Sequence, residues 1–120
     1  MAVGKLKRAR QAVFDAYDAI DEAEARLQVQ LKEYRRLRAV SRRHLAEGGT
    51  ASSLRDVIDI KDARVKNDEA LAQLAAARVR AQFALYRLAA AEGMSAAEIG
   101  RTWGVSRQFA SRVVNGGRAR

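Results

Sequence analysis

The sequence predicts an all-α fold: a long antiparallel helical hairpin, coiled-coil-like, followed by a C-terminal three-helix unit whose first helix is the end of the hairpin. Three observations predict it. Proline is absent from the 120 residues, and four of the 8 glycines are paired as Gly48-Gly49 and Gly116-Gly117, so breaks are few and clustered. Large apolar residues recur every seven positions early in the chain. From Gly93 to Gly117 the pattern shortens into two brief helical segments, each with its own start and stop residues. The expected division is 1–81 as a helical scaffold and dimerisation region, and 82–120 as a C-terminal module.

The first helix is expected from about Lys5 to Ala46, where neither Gly nor Pro interrupts. Leu6, Val13, Ile20, Leu27 and Tyr34 stand seven apart, and three places after each come Ala9, Ala16, Ala23, Gln30 and Leu37. That is a heptad with large residues on one line and mostly alanine on the other, and small seam residues let a partner helix approach closely. A helix on the order of 60 Å long cannot bury such a stripe on itself, so it needs a partner within the chain or on another. Phe14 and Tyr17 widen the seam as packing residues. Arg35, Arg36, Arg38, Arg42 and Arg43 form a basic end, which reads either as a solvated face or as a phosphate-contacting one. His44, beside them, reads as solvated.

Gly48-Gly49 ends this helix. Ser53 is expected to cap the second helix, with Asp56 completing a weak capping box, so that the helix runs from Leu54 to about Glu92. The short connection implies an antiparallel pair. Leu54, Ile58, Val65, Ala72, Val79 and Tyr86 make one apolar stripe, and Ile60, Leu74, Ala81 and Leu88 a neighbouring one. Two stripes imply two contacts. One is the first helix; the other is the C-terminal module or a second subunit.

Gly93 stops the second helix. Ser95 with Glu98 three residues on is a capping box that starts a helix at Ala96, running to Trp103. Gly104 turns the chain, Val105 points back inward, and Ser106 caps a last helix that continues through Asn115 and stops at Gly116-Gly117.

Composition removes several function classes. There is no cysteine and His44 is the sole histidine, so thiol chemistry, histidine metal clusters and a Ser-His-Asp triad lack members. No phosphate-cradling loop is present. The chain is therefore expected not to be an enzyme, and no cofactor or metal is expected. No apolar run is long enough to span a membrane and the basic N-terminus lacks a signal-peptide core, so the expected location is cytoplasmic and nucleoid-associated. A net charge of +9 favours a polyanionic partner, nucleic acid first.

The segment from Glu98 onward resembles the helix-turn-helix of prokaryotic DNA-binding proteins, especially the three-helix form of sigma-factor region 4 and of resolvase or invertase C-terminal domains. The residues that carry it are Ile99, Trp103, Val105 and Val113 at apolar sites, Gly100 where the helices cross, Gly104 in the turn, and the string Gly104-Val105-Ser106-Arg107-Gln108. About 35 residues are covered. Ala110 departs from the pattern, which has a branched aliphatic residue there; Phe109 either swings into the core as a substitute or faces DNA.

The resemblance implies that the helix 106–115 enters the major groove of double-stranded DNA. Ser106, Arg107, Gln108 and Ser111 are the expected base readers, since Arg pairs with guanine and Gln with adenine. The amides of Ala96 and Ala97, with Arg101, Arg112, Asn115, Arg118 and Arg120, are the expected phosphate contacts. A transcriptional regulator is expected, as a homodimer through the hairpin. The alternatives are an accessory protein contacting RNA polymerase through a sigma-like module, and a nucleoid or DNA-packaging protein of low specificity.

Overall fold

The computed structural model describes residues 2–116, the side chain of Ala2 excepted. It is all-helical: α1 (Ala2–Ala46), a 3-10 turn (Ser52–Asp56), α2 (Ile60–Ala91), α3 (Ala96–Trp103) and α4 (Arg107–Val114). Residue contacts group the chain into two compact units, Met1–Ile20 with Ala76–Arg120, and Asp21–Ala75. The C-terminal helices thus share a unit with the start of α1.

In the first unit α1 packs antiparallel on α2. Val13 and Ala16 are buried with Ala81 and Ala84, flanked by Ile20, Leu85 and Leu88. In the second unit Ala23 and Ala70 are buried, with Leu27, Tyr34, Leu37 and Leu74 half-buried beside them. There Arg26 Nε donates to Gln73 Oε1 across the pair at 2.9 Å. The heptad of α1 is therefore its inward face in both units.

Of the two expected stripes of α2, the second lies inward at Leu74, Ala81 and Leu88, with Ile60 exposed, and the first does not form the inward face. The inward face consists of Ala63, Ala70, Ala77, Ala84 and Ala91, with Asn67, Leu74, Ala81 and Leu88 between them. Val65 and Val79 of the first stripe are 47% and 46% exposed, and Ala72 is exposed too. A buried methyl contributes only about 0.8 kcal/mol, so this seam gains from many close contacts rather than from large side chains. Asn67 is the one polar residue of the line, and its Oδ1 is buried without a hydrogen-bond partner among the described residues.

The connection also corrects the expected start of α2. Ser53 does not cap it. Its hydroxyl donates to the Thr50 carbonyl at 3.0 Å, accepts from Thr50 N–H at 3.0 Å, and lies 2.6 Å from His44 Nε2. These bonds use up the side chain inside the loop, and Ser52–Asp56 closes as a 3-10 turn. The cap is Asp59, whose Oδ1 accepts from Asp62 N–H at 3.0 Å, so the helix opens at Ile60. His44 is accordingly half-buried and bonded, not solvated. α1 ends as expected: the Gly49 N–H reaches His44 O at 2.9 Å and the Gly48 N–H reaches Leu45 O at 3.2 Å, the paired bonds of a Schellman stop.

Candidate nucleic-acid interface

The candidate site is the surface of α4, and local chemistry holds that helix in place. α2 stops at Gly93, where φ is +106°, with Met94 N–H bonded to Ala89 O at 3.0 Å. Ser95 then builds the expected capping box: its Oγ accepts from Glu98 N–H at 3.1 Å, and its own N–H donates to Glu98 Oε1 at 2.8 Å. α3 ends at Gly104 in the left-handed region, φ +72°, and Val105 N–H returns to Gly100 O at 2.9 Å. Ser106 Oγ accepts from Phe109 N–H at 3.0 Å and starts α4. Gly100 lies under this turn: a Cβ there would stand 2.6 Å from the Val105 carbonyl oxygen.

Side chains from three helices lock the arrangement. Tyr86 and Ala89 of α2, Ile99 of α3, and Ala110 and Val113 of α4 form one buried cluster. Trp103 and Val105, both expected at apolar sites, are partly buried against it. The second contact of α2 is thus with the C-terminal helices, over its last turns. Phe109 packs: its ring centroid is 5.8 Å from that of Phe83 and 6.5 Å from that of Tyr86, both near edge-on. Ala110 is fully buried, so bulk at this level comes from Phe109 and not from the residue after it.

With that face inward, α4 turns a polar face outward. Arg107 and Gln108 are exposed and make no hydrogen bond or ion pair with another side chain among the described residues. Arg112 is exposed, its guanidinium carbon 5.7 Å from the Phe109 ring centroid, which restrains its direction. Ser111 is half-buried and accepts from Asn115 Nδ2 at 3.2 Å. The Ser106 hydroxyl is engaged as the cap, with its proton still available to an outside acceptor. Arg101 is exposed on α3. The Ala96 and Ala97 amides are the first two of α3, but the Glu98 carboxylate is folded over that same end. Arg118 and Arg120 lie outside the described residues, as does Gly117.

Glu98 is the only acid between Met94 and the end of the sequence. Its carboxyl is held below the ordinary value chiefly by the hydrogen bond from Ser95 N–H, with Arg101 adding a smaller push in the same direction. A lowered folded-state pKa means that the cap stabilises above the unfolded carboxylate range and is lost as pH falls through the folded value. Glu98→Gln retains a capping group without the charge. The stability difference between wild type and this variant is expected to favour wild type at pH 7 and to be lost as pH falls through the folded value, which lies below the ordinary carboxylate value. Thermal melting followed by the single tryptophan, Trp103, checks it; a difference independent of pH would show that the Glu98 charge contributes nothing to the cap.

Three cations that sequence reading did not single out belong to the same unit. Lys5 and Arg8 of α1 and Arg87 of α2 line one groove. The first two are one turn apart and legible as a pair; only the fold adds Arg87. Among the described residues no three histidine or acidic side chains gather as a metal site, and no helix is long and apolar enough to cross a membrane. Comparison with protein-family models, curated proteins and solved structures found no match to this chain.

Proposed function

We propose that the chain binds double-stranded DNA by laying α4 in the major groove, and that it acts as a transcriptional regulator. One observation carries this reading. α4 is fixed on one side by Ala110 and Val113 and offers on the other Arg107, Gln108 and Arg112, with no acid on the helix. A helix that merely filled a bundle corner would gain nothing from an exposed face of that kind, and Arg and Gln are the side chains that pair bidentately with guanine and adenine. Arg101, Arg112 and Asn115 flank the reading residues and serve as phosphate contacts that fix register. One short helix reads few bases, so a homodimer supplies the rest of the specificity. The exposed Val65, Leu71 and Ala72 of α2 are apolar surface consistent with such pairing.

The test is selection of bound sequences from random duplexes, with the mass in solution measured alongside. A sharp motif is expected, palindromic if the dimer forms. Arg107→Ala and Gln108→Ala are each expected to relax preference at one or two positions, by about 1–3 kcal/mol per lost pair. Arg101→Ala and Arg112→Ala are expected to weaken all sequences alike and to reduce the salt slope by about one each. Unchanged preference and affinity in both base-reading variants would remove α4 as the reader.

A further inference from the structure

We propose that the groove between the start of α1 and the end of α2 is a second DNA-backbone site, taking phosphates of the duplex that flanks the segment read by α4. The proposal rests on the DNA reading above. The groove has a volume of about 650 Å³ and is lined by Lys5, Arg8 and Arg87 over a floor of alanines. No acidic residue lines it, and none of the three cations makes an ion pair among the described residues.

The charge at this place opposes the local helix. α1 carries Lys5, Lys7, Arg8 and Arg10 in its first turns, with no acid before Asp15. Lys5, at the end of the first turn, meets the positive end of the helix dipole, and the four cations repel one another. The Arg8 side chain even reaches back toward that end, one terminal nitrogen lying 3.4 Å from where a Cβ on Gly4 would stand. A sequence optimised only for its own helix would place Asp or Glu here. A bound anion relieves both the dipole and the mutual repulsion of the side chains, and departures from local preference of this kind mark functional places.

Position selects the phosphodiester backbone among anions. Val114, the last residue of α4, forms part of the groove wall. The groove therefore adjoins the C-terminal end of α4, where Arg112 and Asn115 sit. A strand passing that end reaches the three cations without leaving the unit. The same division of labour, bases read by one part of a helix and backbone held near its C-terminal end, suits a short reading helix that makes few base contacts.

The test uses the full chain and two duplexes: one covering only the selected sequence, one extended by about 15 bp on each side. Lys5→Gln/Arg8→Gln/Arg87→Gln is compared with wild type at several salt concentrations. On the extended duplex the variant's salt slope is expected to be shallower by about 2.7, so that between 50 and 200 mM salt wild type weakens about 40-fold more than the variant. Base preference and binding to the short duplex are expected to stay as in wild type. Lys5→Arg/Arg8→Lys/Arg87→Lys is expected to behave as wild type. If the triple glutamine variant melts early by Trp103 fluorescence, the three single variants carry the test, each lowering the slope by about 0.9.

An unchanged slope, or an equal loss on both duplexes, overturns the proposal. So does loss of binding to phosphatidylglycerol vesicles with DNA binding intact, which would make the groove a lipid site. If Arg107→Ala alters preference while the groove variant binds as wild type, this proposal alone falls. If wild type binds no duplex, both fall.

Discussion

Gly100→Val is expected to unfold the α3–α4 pair at temperatures where the wild type is intact. A Cβ at this position would meet the Val105 carbonyl oxygen at 2.6 Å, with Arg107 N and Ser106 C each at 3.4 Å. All three are backbone atoms, so no side chain can swing aside; the turn itself must move, and with it Gly104 and the Ser106 cap. Overpacking costs typically about 1–3 kcal/mol, more when backbone shifts. For Gly100→Ala, better helix propensity offsets about 1 kcal/mol, leaving a net loss of up to about 2 kcal/mol. Valine forfeits most of that offset and adds bulk, so a loss of about 3 kcal/mol or more is expected. Gly4→Ala is the matched control, since its Cβ would meet only the end of the Arg8 side chain at 3.4 Å. It should be neutral or slightly stabilising. Urea denaturation followed by Trp103 fluorescence separates the cases; Gly100→Val with a wild-type midpoint would mean that the close approach is not maintained in solution.

The contrast between the two glycines shows what sequence reading can reach. Gly104, Ser95, Glu98 and Ser106 were legible because helix ends are local: a few residues supply the unpaired backbone groups with partners, and their spacing is fixed by the helix itself; Gly100 was legible only through the resemblance, as the small residue where two helices cross. The structure places each of these bonds where the spacing predicts it. The heptad of α1 was legible because Leu6, Val13, Ile20, Leu27 and Tyr34 are large side chains spaced seven apart in a segment rich in charge and alanine. On α2 the stripe of Leu74, Ala81 and Leu88 was read and the one through Val65, Ala72 and Val79 was misread, because much of the inward line is alanine. Hydrophobic periodicity weights Val65 and Val79 above Ala63, Ala70 and Ala77, whereas close packing against a second helix selects the smaller side chain. Tyr86 shares the heptad line of Val65 and Val79 and is fully buried while they are exposed. The difference is that α3 and α4 cover α2 only near its end, a fact about tertiary structure that no periodicity contains.

The loop failed for a related reason. Ser53-x-x-Asp56 has cap spacing, but a serine hydroxyl bonds whichever backbone group is nearest, and the return of the chain past His44 supplied others. Of the candidate site, the exposure of Arg107, Gln108 and Arg112 follows from the burial of Ala110 and Val113, three residues apart on α4. The rotation of α4 was open in the sequence because Phe109 and Ala110 compete for one core position. Packing decides it: Ala110 is small enough to let α4 approach closely, and Phe109 reaches past it to Phe83.

Tyr86 sets that rotation, and its removal is the second large effect expected. The ring is fully buried and lies among Phe83, Trp103 and Phe109, with centroids 6.3, 5.4 and 6.5 Å away. Its hydroxyl accepts from Gln82 Nε2 one turn back on α2. Tyr86→Ala empties the space that positions both Trp103 of α3 and Phe109 of α4, and a loss of about 3–5 kcal/mol is expected. Small domains hold only about 5–15 kcal/mol, so α4 would lose its fixed orientation before the long helices melt. Tyr86→Phe keeps the ring and removes one hydrogen bond, for about 1 kcal/mol. Trp103 emission should therefore shift to the red in Tyr86→Ala at ambient temperature and stay in place in Tyr86→Phe, with far-UV helicity largely kept in both. A blue, native-like emission in Tyr86→Ala would show that α3 and α4 are held by something other than this aromatic cluster. Because the outward face of α4 is defined by what its opposite face packs on, Tyr86→Ala is also expected, under the proposed DNA binding, to abolish sequence preference, although Tyr86 itself is fully buried.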